Sequence, residues 1–325
     1  MTVMQNQNSE VRYRIEHKTS YAYSEPVAVC QNQVRMMPAP RPNLTCHFTR
    51  LDILPLPDSS EEHQDYFGNR VLTFAIESTH QSLEIVAHSD VTVHAPTVTL
   101  IGPPTNTVGP GKSNISDVGQ PWELIAQQIQ SADTFDAMID QQRFDSPRIR
   151  RVQPFADYAF KSFTPGRGIL EAALDFTRRI YTDFRYDTSA TNVDTLPEEA
   201  FAARAGVCQD FAQFAIACLR SIGLSAKYVS GYLRTLPPVG APRLIGADES
   251  HAWFSIYSGP RHGWVGFDPT NGTVAGTDHI PISIGRDYGD ISPMCGVVLG
   301  GGQTTLKVSV DVQPIAMQQQ QAMQQ

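Results

Sequence analysis

Three residues in the second half of the chain could carry nucleophilic chemistry together: Cys208, His251 and Asp268. Cys208 lies in Gly206-Val-Cys-Gln-Asp210, where a loop is predicted to become a helix that is apolar nearly all round. The first backbone N–H groups of a helix have no partners and carry partial positive charge, so a sulfur placed there is favoured as its thiolate. Gly206 allows a sharp turn into the helix. Taken alone, a cysteine is more often a small buried hydrophobe than a nucleophile. Cys218, further along the same predicted helix between Ala217 and Leu219, has no helix end near it and reads that way.

His251 opens the predicted strand 251–257, with His251, Trp253, Ser255 and Tyr257 on one face. On the return strand Trp264, Gly266 and Asp268 share a face, and the connection 258–263 is a short hairpin loop. If Tyr257 pairs with Trp264, Trp253 falls opposite Asp268, and His251 becomes its diagonal neighbour on that face. Such neighbours lie roughly 7–8 Å apart at Cα, within side-chain reach. A carboxylate there accepts the proton of one ring nitrogen and aims the other outward. Each residue also has a plain reading: a hydrogen-bonded strand histidine, and a turn at Asp268-Pro-Thr-Asn-Gly272. The combination, with the last two on one hairpin face, favours a thiol nucleophile, a histidine base and an orienting carboxylate. The backbone N–H of Cys208 would hold an oxyanion. Tyr186, Gln209 and Trp253 are candidates for further oxyanion or substrate contacts. His17, His47, His63, His80, His88 and His94 fall in the β-rich first part, His262 in the hairpin loop, and His279 beyond the Asp268 turn. All are weaker candidates. Three scattered ligands with no close-spaced pair argue against a zinc site, so no metal and no cofactor is expected.

The elements that would position these residues follow from hydrophobic period. From Val11 the chain alternates with period two, and similar signals recur at 44–48, 51–53, 70–77, 83–88 and 91–93, with a bulge or bend near Arg50. Residues 11–100 therefore read as an all-β, sandwich-like N-terminal domain of short strands, after a polar, disordered start at 1–10. Residues 101–121 are rich in Gly, Pro, Asn, Thr and Ser and read as a linker. Gly109-Pro-Gly-Lys-Ser113 within it lacks the first glycine and the following helix of a phosphate loop. Beyond it the period becomes about 3.6, with helices predicted at 122–130, 170–181, 198–203 and 207–222, the last ended by Gly223. Strands are predicted at 226–233, 251–257, 264–270 and 305–312. Residues 122–312 thus form an α+β core of helices plus antiparallel sheet, and the Gln-rich stretch 313–325 should be disordered.

Composition removes several classes. The 325 residues carry a net charge of −8 without a basic face or a run of like charge, which argues against nucleic acid as a partner. Nowhere do about 18 apolar residues run together, so no membrane partner is expected. The polar start lacks the form of a secretory signal. Five widely spaced cysteines without a C-x-x-C pair fit a reducing compartment, and a cytoplasmic location is expected.

Several segments carry a family resemblance. Gly206-Val-Cys-Gln-Asp-Phe-Ala212, Ala217-Cys-Leu-Arg-Ser-Ile-Gly-Leu224, Tyr228-Val-Ser-Gly-Tyr232, Ser250-His-Ala-Trp253 and Gly263-Trp-Val-Gly-Phe-Asp-Pro-Thr270 resemble, in order and spacing, the core of bacterial transglutaminase-like proteins. Arg14-Ile-Glu-His-Lys-Thr-Ser-Tyr-Ala-Tyr23 and Asp65-Tyr-Phe-Gly-Asn69 resemble the β-rich N-terminal region such proteins often carry, and Gly285-Arg-Asp-Tyr288 is similar as well. The resemblance spans about residues 11–310 and implies a papain-like core fold, with Cys208 as nucleophile, His251 as base and Asp268 as orienting carboxylate. It leaves the reaction open among cross-linking, peptidase and amidase chemistry. Nothing visible excludes water from a thioester, so a cysteine-dependent hydrolase acting on amide or peptide bonds of a protein or peptide substrate is expected ahead of a glutamine transglutaminase. A non-catalytic binding or scaffold module is the competing reading from another class.

Overall fold

The computed structural model describes residues 10–96, 98, 100–101, 114–115, 117–131, 136–235 and 249–315. The Gly109–Ser113 segment, the first nine residues and the Gln-rich stretch from residue 316 lie outside the described residues.

The first part is built on one strand. β1 runs 28 residues, Glu10–Met37, well beyond the alternation that the sequence shows from Val11. Its first half alternates in burial, with Tyr13, Ile15, His17 and Thr19 inward, as period two requires. The ladder register shifts between Ala22 and Val27, across Pro26, whose missing N–H cannot serve a continuous ladder. β2 (Leu44–Leu54), β3 (Ser59–Gln64), β4 (Arg70–Ile76) and β5 (His80–His94) complete the order β2-β5-β1-β4-β3. The irregularity in β2 falls between Cys46 and Phe48, slightly before the bend expected near Arg50. Val27, Val34, Ile53, Phe74, Ile76, Leu83 and Ile85 meet in one apolar cluster. These residues form the core of the β-rich first part.

After the two-residue pair β6 (Leu100–Ile101) and β7 (Asn114–Ile115), helices dominate: α1 (Trp122–Gln130), α2 (Ala137–Asp140), α3 (Gln153–Phe160) and α4 (Ile169–Asp183). β8 (Arg185–Tyr186), α5 (Pro197–Ala203) and β9 (Ala205–Gly206) lead into α6 (Cys208–Ser221). α6 is buried from Asp210 to Arg220, as its all-round apolar character predicts. Phe155, Tyr158, Phe184 and Phe201 pack edge-on, tilted or stacked around Phe214. Burying each such ring contributes about 1.5–3 kcal/mol. α3, absent from the periodicity reading, is short and owes its place to Phe155 and Tyr158 in this cluster. The C-terminal end of α6 closes at Gly223, whose φ of +84° suits the left-handed cap, with Leu224 N–H donating to Leu219 O at 3.1 Å.

The second sheet follows: β10 (Ala226–Leu233), β11 (Glu249–Tyr257), β12 (Trp264–Asp268), β13 (Thr273–Val274) and β14 (His279–Gly285), in the order β13-β12-β11-β10-β14. Pairing is antiparallel throughout, and α6 packs on the face bearing Tyr228, Ala252, Phe254 and Phe267. β14 lacked an alternating signal because nearly all of its residues are buried and Pro281 interrupts it. α7 (Tyr288–Ile291), β15 (Met294–Gly300) and β16 (Thr304–Pro314) end the described chain. β15 and β16 both pair with β1, so the strand expected at the end of the chain joins the N-terminal sheet.

The two sheets meet through a second apolar cluster, in which Tyr13, Ile15, Val91, Val93, Val310 and Val312 face Tyr232, Ile280 and Ile282. At one border Asn69 of the Asp65–Asn69 turn donates to Ile284 O and accepts from Ile284 N–H, both at 2.8 Å. A fully buried amide side chain here completes the edge of β14 as backbone would. Among the described residues no helix is long and apolar enough to cross a membrane.

Candidate active site

Cys208 is the first residue of α6, following Val207, which has extended backbone. The entry is held by Asp210, whose Oδ2 accepts from Val207 N–H at 2.8 Å and from Thr191 Oγ1 at 2.6 Å. A Cβ on Gly206 would stand 2.5 Å from that oxygen, which explains glycine there more fully than turning freedom alone. Burial pushes the Asp210 carboxyl up, against these two donors. Tyr186 pairs in parallel with Gly206 through the β8–β9 bridge, so the extended stretch before Cys208 lies beside its approach. Gln209 donates to Val193 O at 3.0 Å, and Arg148 donates to the same oxygen at 2.7 Å. These clamps fix the connection after β8 against the start of α6.

His251 and Asp268 come from the hairpin. Tyr257 pairs with Trp264, and the ladder continues to Phe254–Phe267, the register expected from the loop. His251 Nε2 lies 2.8 Å from Asp268 Oδ2. Nδ1 is thus left free of Asp268, and the Cys208 side chain lies close enough to act on the charge of the ring. His251 is 6 % exposed and Asp268 is fully buried. Burial works against the charged ring, yet the charge and hydrogen bond of Asp268, then Cys208, hold His251 well above the usual histidine range. Burial likewise opposes the Asp268 carboxylate, but His251 and His279 hold it well below the usual carboxyl range.

Asp268 has more donors than a pair would need. Thr270 N–H and Asn271 N–H donate to Oδ1 at 2.9 and 3.2 Å, and Asn271 Nδ2 donates to Oδ2 at 2.7 Å. His279 Nε2 approaches Oδ2 at 3.0 Å. The turn read from Asp268-Pro-Thr-Asn-Gly272 is thus also the cradle of the carboxylate. His279, set aside in the sequence, stands in the same cluster. Its signal was weak: β14 shows no alternation, and Asp268 and His279 are joined by a turn whose geometry the sequence does not fix. Trp253 is 3 % exposed. It stacks on His251 with centroids 6.2 Å apart and meets His279 edge-on at 5.3 Å, so it packs behind the two rings.

Ligand atoms of His251, Asp268 and His279 lie within 4.8 Å of one another, dimensions that could suit a metal ion. The directions of the hydrogens argue otherwise. Gly276 N–H donates to His279 Nδ1 at 3.2 Å, which leaves the ring proton on Nε2, pointing at Asp268. The set fits a hydrogen-bonded cluster better than a ligand sphere. A cavity of about 550 Å³ bordered by Arg12, Phe48, His88 and Asp90 lies on the N-terminal sheet and shares no residue with this cluster.

Residues 13–92 match the bacterial transglutaminase-like N-terminal region, and residues 157–269 match the transglutaminase-like superfamily. A protein of Mycobacterium tuberculosis described as uncharacterized is 36% identical over 307 residues, 93% of each chain. The chain belongs to the transglutaminase-like superfamily. A second relative of this transglutaminase-like protein, an uncharacterized protein of Mycobacterium leprae, is 28% identical over 305 residues, 94% of this chain and 99% of that one. A solved structure from Cytophaga hutchinsonii, described as a candidate cysteine protease, superposes with a TM-score of 0.70 at 19% identity. It covers 95% of this chain and 92% of its own. At that identity it shows the shared fold: a β-rich N-terminal region ahead of a transglutaminase-like α+β core.

Proposed function

We propose that this protein is a cysteine-dependent hydrolase of amide or peptide bonds in a protein or peptide substrate, with Cys208, His251 and Asp268 as its triad. The observation that carries the reading is the 2.8 Å contact between His251 Nε2 and Asp268 Oδ2, on a ring whose charge the Cys208 side chain, at the start of a helix, also influences. His251 Nδ1 takes the proton from Cys208 Sγ, and the thiolate adds to the substrate carbonyl carbon. The resulting oxyanion is met by backbone N–H groups at the start of α6. Collapse expels the amine, protonated by His251, and leaves a thioester. Water, deprotonated by His251, then releases the acid and restores the thiol. Five free thiols support the cytoplasmic location expected for it.

The test has two arms. Alkylation of Cys208 is followed against pH in the wild type and in His251→Ala, with the exposed Cys295 as an internal comparison. Hydrolysis of a glutamine- and asparagine-containing peptide library is then followed with and without a primary amine, with Cys208→Ala as control. Fast, His251-dependent alkylation and Cys208-dependent hydrolysis are expected. Amine incorporation outpacing hydrolysis would replace the hydrolase with a transglutaminase. Cys208 reacting no faster than Cys295 would leave a binding module.

A further inference from the structure

We propose that His279 is a positioning residue for the Cys208–His251 pair, a neutral hydrogen-bond donor that pins the Asp268 carboxylate and shares its charge with His251. The inference rests on the triad reading above and adds a fourth side chain to it. Both imidazoles address the same oxygen, Oδ2, at 2.8 and 3.0 Å, and their ring centroids are 6.2 Å apart. The ring is 7 % exposed. Gly276 N–H occupies Nδ1 at 3.2 Å, in a turn closed by His279 N–H donating to Gly276 O at 3.1 Å. A proton on Nδ1 would face that N–H, so the backbone selects the Nε2–H tautomer. A second cation beside the His251 imidazolium would repel it; a neutral donor does not.

Two consequences follow for chemistry. Asp268 cannot swing away from His251, since donors fix it from both sides of the turn. Its negative charge is also divided, which restrains how tightly it holds the imidazolium that must later give up its proton to the leaving amine. Asp268 and His251 meet the Nε2 edge, and Cys208 lies beyond His251. The adjacent Asp278 is taken by Arg234, just beyond β10, at 2.7 Å and Tyr13 of β1 at 3.0 Å.

The test is the pH profile of Cys208 alkylation in His279→Phe and His279→Gln beside wild type and His251→Ala. Removing the donor with His279→Phe should move the alkaline limb, where the imidazolium is lost, to higher pH, because Asp268 then holds the proton of His251 more firmly. Hydrolysis should fall about tenfold or more through the loosened carboxylate. His279→Gln, whose amide can donate to Oδ2, should return the limb toward the wild-type position. The proposal is overturned if His251→Ala abolishes the profile while His279→Phe leaves it in place, or if Gln shifts it as far as Phe. If His251→Ala itself changes nothing, the Cys–His reading is what fails. A ring nitrogen spectrum of histidine-labelled wild type, assigned by loss of one signal in His279→Gln, tests the premise without any variant needing activity. It should show His279 as the Nε2–H tautomer at neutral pH, and an Nδ1–H or doubly protonated ring would sink the idea.

Discussion

Two buried histidines that border the same strand have opposite electrostatic fates. His251 is 6 % exposed and His17 3 % exposed, and each makes a short contact, 2.8 Å to Asp268 Oδ2 and 2.7 Å to Tyr232 OH. Burial disfavours the charged ring in both. Beside a carboxylate the ring is nonetheless held well above its ordinary value. Beside a hydroxyl, with only Thr19 Oγ1 at 3.2 Å on its other nitrogen, burial lowers it to about 4. The partner, more than the depth, decides whether an imidazole here can carry a proton. Both sites border β10: Gly231 pairs with His251, and the next residue, Tyr232, holds His17. One strand thus separates a ring fit for proton transfer from one fit for joining two sheets.

The largest way to break the contrast is Asp268→Asn. It keeps the shape of the side chain and the turn while removing the charge, so His251 loses what distinguishes it from His17. An amide can also present its NH₂ to Nε2 and select the wrong tautomer, with the proton on Nδ1. By analogy with the serine-protease triad, where this change costs about 10⁴ in kcat, a loss of the same order in kcat is expected. The check is kcat/KM for peptide hydrolysis beside the Cys208 alkylation profile. Retention of more than a tenth of activity would mean that Asp268 only shapes the turn.

The contrast also shows which parts of the molecule were legible beforehand. Cys208, His251 and Asp268 could be named because each sits at an element boundary or on an alternating face that local pattern defines. The pairing of Tyr257 with Trp264 followed from a six-residue loop between Ser258 and Gly263. α6 was legible from its unbroken apolar character. His279 and His17 were passed over because their partners are fixed by tertiary pairing: β14 joins β10 through a long connection, and His17 meets Tyr232 across the interface of two sheets. The length of β1 was hidden as well. Its register shift and polar outer face interrupt the alternation that begins at Val11, while four neighbours hold the strand together.

His17→Gln should have a smaller effect, on stability rather than catalysis. The native ring titrates near 4 and an unfolded one near 6.5. Between those values the unfolded chain binds a proton that the folded chain refuses, so folding stability falls as pH drops from 6.5 toward 4. The shift corresponds to about 3 kcal/mol by the bottom of that window. Glutamine can bond Tyr232 and does not titrate, so the variant should lose this part of the acid slope in urea-unfolding free energies measured across the same range. A constant offset between the two proteins leaves the comparison intact. An unchanged slope would mean that His17 takes up its proton in the folded state as readily as outside it.

Tyr232→Phe probes the same site from the other strand, with the smallest effect of the three. It deletes one hydroxyl, leaves the ring in the apolar cluster with Ile280 and Ile282, and strands His17 Nδ1 without its 2.7 Å partner. The cost should be about 1–2 kcal/mol at neutral pH, the usual penalty for orphaning one buried polar atom. The acid slope should persist, because burial is its cause and the burial remains. Hydrolysis should stay within about twofold of wild type, since the backbone pairing of β10 with β11 that seats His251 does not involve this hydroxyl. Activity falling in step with stability would show instead that the interface histidine and His251 are held by a single shared arrangement, and that the N-terminal sheet helps set the geometry of Cys208 and His251.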